Sequence, residues 1–296
     1  MSLRKLSQLG FTLVEMIVVM VITGIIGGMI AMFIKAPMQS YMDSGRRAEM
    51  VDIADTALRR MGRDIRTAVP NSIRTTTCGA VGACLEFLPT KAGGRYRGSA
   101  GAGPAQCGGA VASDVLDFGS PDGCFEIIGP QITFVSGVDA DHIVIGSTQS
   151  SGNPPYEIAT SGVLRAYTVP VGAQSAVNFT ATQFPAFAEV PGQRFDVVPG
   201  DQQAVTYVCT NPQGTDTNND GQSRLIRYWH YGFRATQTDP ATLAATSAVL
   251  ADKVSSCAIT YNAINQRNGL VSITLTITRG GESISLYHET HVNNIP

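Results

Sequence analysis

The stretch Gly10-Phe11-Thr12-Leu13-Val14-Glu15-Met16 opens an apolar run that continues to Ile34 and contains a single carboxylate, Glu15. A carboxylate at bilayer depth costs about 2.5–3.5 kcal/mol on insertion scales, so a residue placed there carries a partner and a function. Glu15 lies only ~6 Å along a helix from a terminus created by cutting after Gly10. The freed amine of Phe11 would then be a cation of the right sign and depth to pair with Glu15, its own or a neighbour's. A helix N-terminus is also the end that favours an anion. The carboxylate is best read as an assembly device.

Working outward, Phe11 to Ile34 spans 24 residues. As a helix that is ~36 Å, against a hydrocarbon core of about 30 Å. A secretory signal has a shorter apolar region followed by a small-residue cleavage site, and no A-x-A site follows this run. Arg4 and Lys5 precede it, so the positive-inside rule puts the N-terminus in the cytoplasm and the remainder outside. Beyond the run the helical period continues, with Met50, Ala54, Ala57, Met61, Ile65 and Ala68 on one stripe. Arg59, Arg60, Arg63 and Arg66 fall mainly off it and read as a solvated face with Asp55 and Asp64 as neighbours. Pro37 should disturb the helix and Pro70 should follow its end. A helix from Phe11 to Arg66 would be ~84 Å long, natural for a fibre subunit. Gly24, Gly27 and Gly28 loosen its first half or let helices approach closely.

The motif Gly10–Glu15 behind a short basic leader resembles the class III signal of type IV prepilins and type II secretion pseudopilins. The resemblance implies a membrane peptidase that cleaves after Gly10 and N-methylates Phe11. It also implies that Glu15 guides docking by pairing with the first residue of an adjacent subunit. The fold implied is α+β, a type IV pilin-like lollipop with a long N-terminal helix, membrane-spanning in its first half, packed on a β-rich head with long loops. The divisions are residues 1–10, a leader that is removed; 11–34, the transmembrane and assembly helix; 35–69, its amphipathic continuation; and 70–296, a periplasmic or extracellular head. Before assembly such a chain sits in the inner membrane as a single-pass protein, and in the assembled pilus it is extracellular. The implied partners are minor and major pilins, prepilin peptidase, the inner-membrane assembly machinery and membrane lipid.

Two further stretches are similar to MshO-type minor pilins of the mannose-sensitive haemagglutinin (MSHA) pilus. These are Leu58–Arg66 running into Ala68-Val69-Pro70-Asn71-Ser72, and the C-terminal His291-Val292-Asn293-Asn294-Ile295-Pro296. That likeness implies a low-abundance subunit that helps initiate or cap a fibre. A J-like minor pseudopilin of type II secretion shares this layout, and a tip adhesin is a binding version of the same reading.

The chain without its leader has 19 basic against 23 acidic residues, a balance that excludes a strongly basic nucleic-acid binder. Six cysteines, Cys78, Cys84, Cys107, Cys124, Cys209 and Cys257, all lie in the part placed outside. An even count in an oxidising compartment suggests disulfides, although six cysteines allow about 15 connectivities. Proximity favours Cys78–Cys84 and Cys107–Cys124. Cys209–Cys257 is favoured because Cys209 ends and Cys257 begins a strand-like segment.

The remainder reads as strands and loops. Val271, Ile273, Leu275 and Ile277 alternate with polar residues, Arg279-Gly280-Gly281-Glu282 forms a tight turn, and Ser283–Tyr287 returns. Further strands are expected at 114–118, 132–136, 142–146, 163–169, 204–209 and 224–229. Seven glycines among the eighteen residues from Ala92 to Gly109 predict a flexible surface loop, and Asn211–Ser223 a second polar loop.

Little reads as chemistry. His288-Glu289-Thr290-His291 places its histidines three apart on a strand, on opposite sides, unlike a metalloprotease helix. His142 and His230 stand alone. Asp216-Thr217-Asn218-Asn219-Asp220-Gly221 resembles the opening of an EF-hand loop, but the closing Glu position is Arg227. A polar turn is the default. An irregular calcium site on Asp216, Asn218 and Asp220 stays open, and calcium does bind loops in some pseudopilins. No other cofactor is expected. No nucleophile elbow, Walker A or dinucleotide motif occurs, so the expected role is not enzymatic.

Overall fold

Leu13–Arg66 forms one α-helix, α1. The structure, a computed structural model, describes residues 10–77, 82–101, 104–108, 114–148, 154–157, 162–263 and 268–296. The chain divides into two units, Met1–Glu49 and Met50–Pro296.

In the first unit the described residues are helical from Leu13, and every residue from Phe11 to Ile34 is exposed. Among the described residues this is the helix long and apolar enough to cross a membrane. Pro37 does not end it. Proline removes one backbone hydrogen bond, whereas stopping the helix there would strand four carbonyls. The hydroxyl of Thr23 donates back to the Val19 carbonyl at 2.6 Å, so this polar side chain brings no unmet donor into the run.

The second unit begins with the amphipathic part of α1. Met50, Ala54, Ala57, Met61 and Ile65 are at most 2 % exposed, as the helical stripe predicts. Fifteen strands follow among the described residues. They are β1 (Arg74–Thr77), β2 (Ala83–Phe87), β3 (Ala92–Tyr96), β4 (Asp122–Ile128), β5 (Ile132–Phe134), β6 (His142–Ile145), β7 (Leu164–Ala166) and β8 (Gly172–Gln174). Then come β9 (Ala176–Thr182), β10 (Arg194–Val198), β11 (Val205–Cys209), β12 (Ser223–Trp229), β13 (Thr246–Ala263), β14 (Asn268–Arg279) and β15 (Glu282–Asn293). The α+β reading of the sequence therefore holds.

One antiparallel sheet has seven strands in the order β1-β2-β11-β12-β13-β14-β15. Its inward side chains, including Leu85, Phe87, Val205, Tyr207, Leu225, Val271, Ile273 and Leu275, form one core with the α1 stripe. The helix packs closely on β15 at Gly62, where an added Cβ would lie 2.6 Å from His288 Nε2 and 3.2 Å from Thr290 Oγ1. Helical glycine costs about 1 kcal/mol, and here it provides the close approach of helix and strand. A second sheet, β7-β6-β10-β3-β4-β9, has its own core of Phe125, Phe134, Tyr167, Val177, Phe184 and Phe195.

Four expectations need correction. Residues 114–118 form no strand. The Asp114 carboxylate is instead fully buried and accepts the backbone N–H groups of Gln106 and Cys107, which folds the segment back on itself. The glycine-rich segment does not begin as a loop, because Ala92–Tyr96 is β3. Gly94 is needed there, since a Cβ would strike the Phe195 ring at 2.9 Å. Cys257 sits within the 18-residue β13 rather than at its start. Asp64 is no solvent-face neighbour of the arginines: it accepts from Tyr207 Oη at 2.6 Å and from Arg227 Nε at 3.1 Å.

Candidate functional site

The N-terminal site is built locally. The Glu15 backbone N–H donates to Thr12 Oγ1 at 3.3 Å, and Met16 N donates to the Thr12 carbonyl at 3.2 Å. Thr12 is thus the helix N-cap, and Thr12-Leu13-Val14-Glu15 has the spacing of a capping box. Reading Glu15 by its charge alone missed Thr12, yet the Thr-x-x-Glu interval carries that signal. The cap fixes where helix begins, so Glu15 stands in the first turn, where the backbone dipole favours an anion. Its side chain is exposed, as are those of Phe11 and its apolar neighbours. Gly24, Gly27 and Gly28 have nothing within 4 Å of an added Cβ in the single chain.

The turn after α1 and the C-terminal segment meet in the second unit. Asn71, at φ 58°, donates its side-chain amide to the Ser147 carbonyl at 2.5 Å and to the Asn294 carbonyl at 3.1 Å. Asn294 is 2 % exposed and donates to Tyr261 Oη at 2.9 Å. The turn after α1 is thereby tied to the C-terminal segment. No periodicity could have shown this, since the contact spans 223 positions.

Disulfides join Cys107 to Cys124 and Cys209 to Cys257. Cys78, the expected partner of Cys84, lies outside the described residues. In the second polar loop Asp216 Oδ1 accepts the backbone N–H groups of Asn218 and Asp220, both at 2.9 Å. Asp220 accepts from Gly280 N at 2.7 Å and pairs with Lys253 Nζ at 3.0 Å. Its carboxyl is held below the usual range, first by that backbone hydrogen bond and then by Lys253. The cation this loop meets is an ammonium, and its carboxylates are turned to their own backbone rather than to a shared centre. Among the described residues no three His, Cys, Asp or Glu side chains are grouped to hold a metal. His288 and Thr290 face Gly62, whereas His291 is exposed on the other side of β15. His230 lies 2.8 Å from Asp139, and His142 packs on the Phe233 ring.

A buried polar cluster, missed in the sequence, surrounds Glu86, which is 1 % exposed. Its carboxylate accepts from Arg74 Nε at 2.8 Å and Tyr231 Oη at 3.1 Å, and Arg74 lies 3.7 Å above the Tyr156 ring. Burial pushes the Glu86 carboxyl up against the opposing pull of Arg74. The cluster ties together β1, β2 and the segment after β12.

The chain matches the family described as a prokaryotic N-terminal methylation motif over residues 5–32. The match covers Lys5 of the leader, Gly10, Phe11, Glu15 and most of the apolar run, and it supports a type IV pilin-like or pseudopilin protein. Proteins with this motif are structural in general, and they interact with other pilin subunits and with prepilin peptidase. No curated protein and no solved structure matches the chain.

Proposed function

We propose that this chain is a minor pilin of an MSHA-type type IV pilus, cut after Gly10, methylated on Phe11 and incorporated at or near the fibre tip. The observation that carries the reading is the methylation motif, with Glu15 held in the first turn of an apolar helix whose side chains up to Ile34 are exposed in the single chain. An exposed run of this length is stable in a bilayer or among other such helices, not in water. In the membrane the leader faces the cytoplasm and the head the periplasm. On assembly, the charge of Glu15 meets the Phe11 ammonium of an adjacent subunit, which turns a costly buried carboxylate into a register mark. Support for the minor-pilin assignment comes from the likeness of Leu58–Ser72 and His291–Pro296 to that class.

The test is localisation in filaments. Sheared pili from cells expressing an epitope-tagged chain should carry label at filament ends in low copy. Label distributed along the whole shaft, or recovered only with the secretion apparatus, contradicts the assignment.

A further inference from the structure

The second unit contains a cleft of about 620 Å³ between the end of α1, the β3–β10 pair and the C-terminal segment. Its size falls among small-molecule sites, about 300–1,000 Å³. In the antiparallel register Arg95 lies opposite Arg194, and Gly93 opposite Asp196. Opposed residues share a sheet face, so all four are on one side. Phe195, between them in sequence, goes the other way and packs on the Phe125 ring at 5.2 Å. All four line the cleft, and Arg66 joins them from the helix end.

Like charges directly opposite on neighbouring strands are destabilising. Among the described residues Arg66, Arg95 and Arg194 form no salt bridge or hydrogen bond to a carboxylate, although the charge of Arg194 is felt at Asp196, whereas the nearby Lys91 is spent on Asp141 at 2.5 Å. Two arginines opposed across a strand pair, with a third lining the same cleft, make an anion clamp. Arginine forks suit carboxylate bidentately. The clamp is not uniformly positive, because Asp196 stands one pleat away from Arg194, ~7 Å along the strand. A Cβ on Gly93 would come within 3.2 Å of the Phe195 carbonyl and 3.3 Å of Asp196 Oδ1, so glycine leaves room beside this partly buried carboxylate, which lines the cleft. A ligand seated here needs an anion at one end and hydrogen-bond donors at the other. A phosphodiester offers only acceptors to Asp196 and is repelled by it. A sugar acid has both groups on one ring.

We propose that the cleft binds a uronic acid unit of an acidic glycan, with its carboxylate between Arg95 and Arg194 and its ring hydroxyls donating to Asp196. Arg66 meets the next anionic unit. The site depends on the second unit alone, so it stands or falls apart from the fibre assignment.

Calorimetric titration of the full-length protein in neutral detergent micelles with trigalacturonate tests this. A matched neutral trisaccharide and a single-stranded DNA dodecamer serve as competing probes. Saturable uronate binding is expected, at least tenfold weaker in Arg95→Gln and in Arg194→Gln, with no heat from the neutral sugar. Both arginines are exposed, and removing one relieves repulsion, so melting temperatures should be retained or raised. No uronate binding, equal binding of the neutral sugar, DNA binding in place of uronate, or undiminished affinity in both variants overturns the proposal.

Discussion

Gly62 shows how one residue sets the distance between two elements. It lies on the buried side of α1, where His288 and Thr290 of β15 leave no room for a Cβ. Gly62→Val should destabilise the second unit by about 1–3 kcal/mol through overpacking, read as a lower thermal midpoint. A midpoint at or above that of the parent would contradict the contact. Asp196 makes a different kind of statement. Burial pushes its carboxyl up to about 6, against the opposing effect of Arg194. A folded value above the unfolded one means that the fold favours the proton. The stability linked to it is complete below about pH 4 and is lost as pH rises through about 6. Asp196→Asn should therefore melt higher than the parent at pH 8 and no higher at pH 4. Equal differences at both values would remove the titration from the account.

At the scale of elements, α1 is held to the seven-stranded sheet by its apolar stripe and by one polar clamp. Asp64 receives Tyr207 Oη and Arg227 Nε, and Arg227 lies 4.9 Å from the Trp229 ring centre. Asp64→Ala leaves a guanidinium that is nearly buried without its carboxylate, a loss of about 2 kcal/mol or more. The melting temperature should fall by roughly 4–8 °C for a unit of this size. An unchanged melt would make the clamp decorative. The elements also show what a sequence can carry. The stripe of α1 and the β14–β15 hairpin, with Arg279 opposite Glu282, were legible because period and turn chemistry agree there. The 18-residue β13 was not, since Asp252 and Lys253 break its alternation, Lys253 adopts φ 55° and the register with β12 shifts before it. The glycines that hid β3 are there because of neighbours distant in sequence, such as Phe195. Asp64 was misplaced for the same reason, its partners being 143 and 163 positions away.

For the whole molecule, the apolar N-terminal helix and its methylation motif were legible in the sequence, because their logic is local: a glycine, an apolar run and one acid at fixed spacing. The cleft was illegible, because Arg66, Arg95, Arg194 and Asp196 converge only through the β3–β10 register. On the fibre account, Glu15→Ala inserts into the membrane at least as readily, having lost a charge that costs about 2.5–3.5 kcal/mol there. It should nonetheless be missing from sheared filaments while accumulating in the membrane fraction. Incorporation at the parental level would show that Glu15 pairing does not direct docking.

The central claim, that a trimmed terminus supplies the partner for Glu15, meets its most direct test in the intact mass of the protein recovered from cells with an active prepilin peptidase. The account predicts a chain that begins at Phe11 and carries one added methyl group, and a Gly10→Val variant that keeps its leader. A native chain that still begins at Met1 would contradict it.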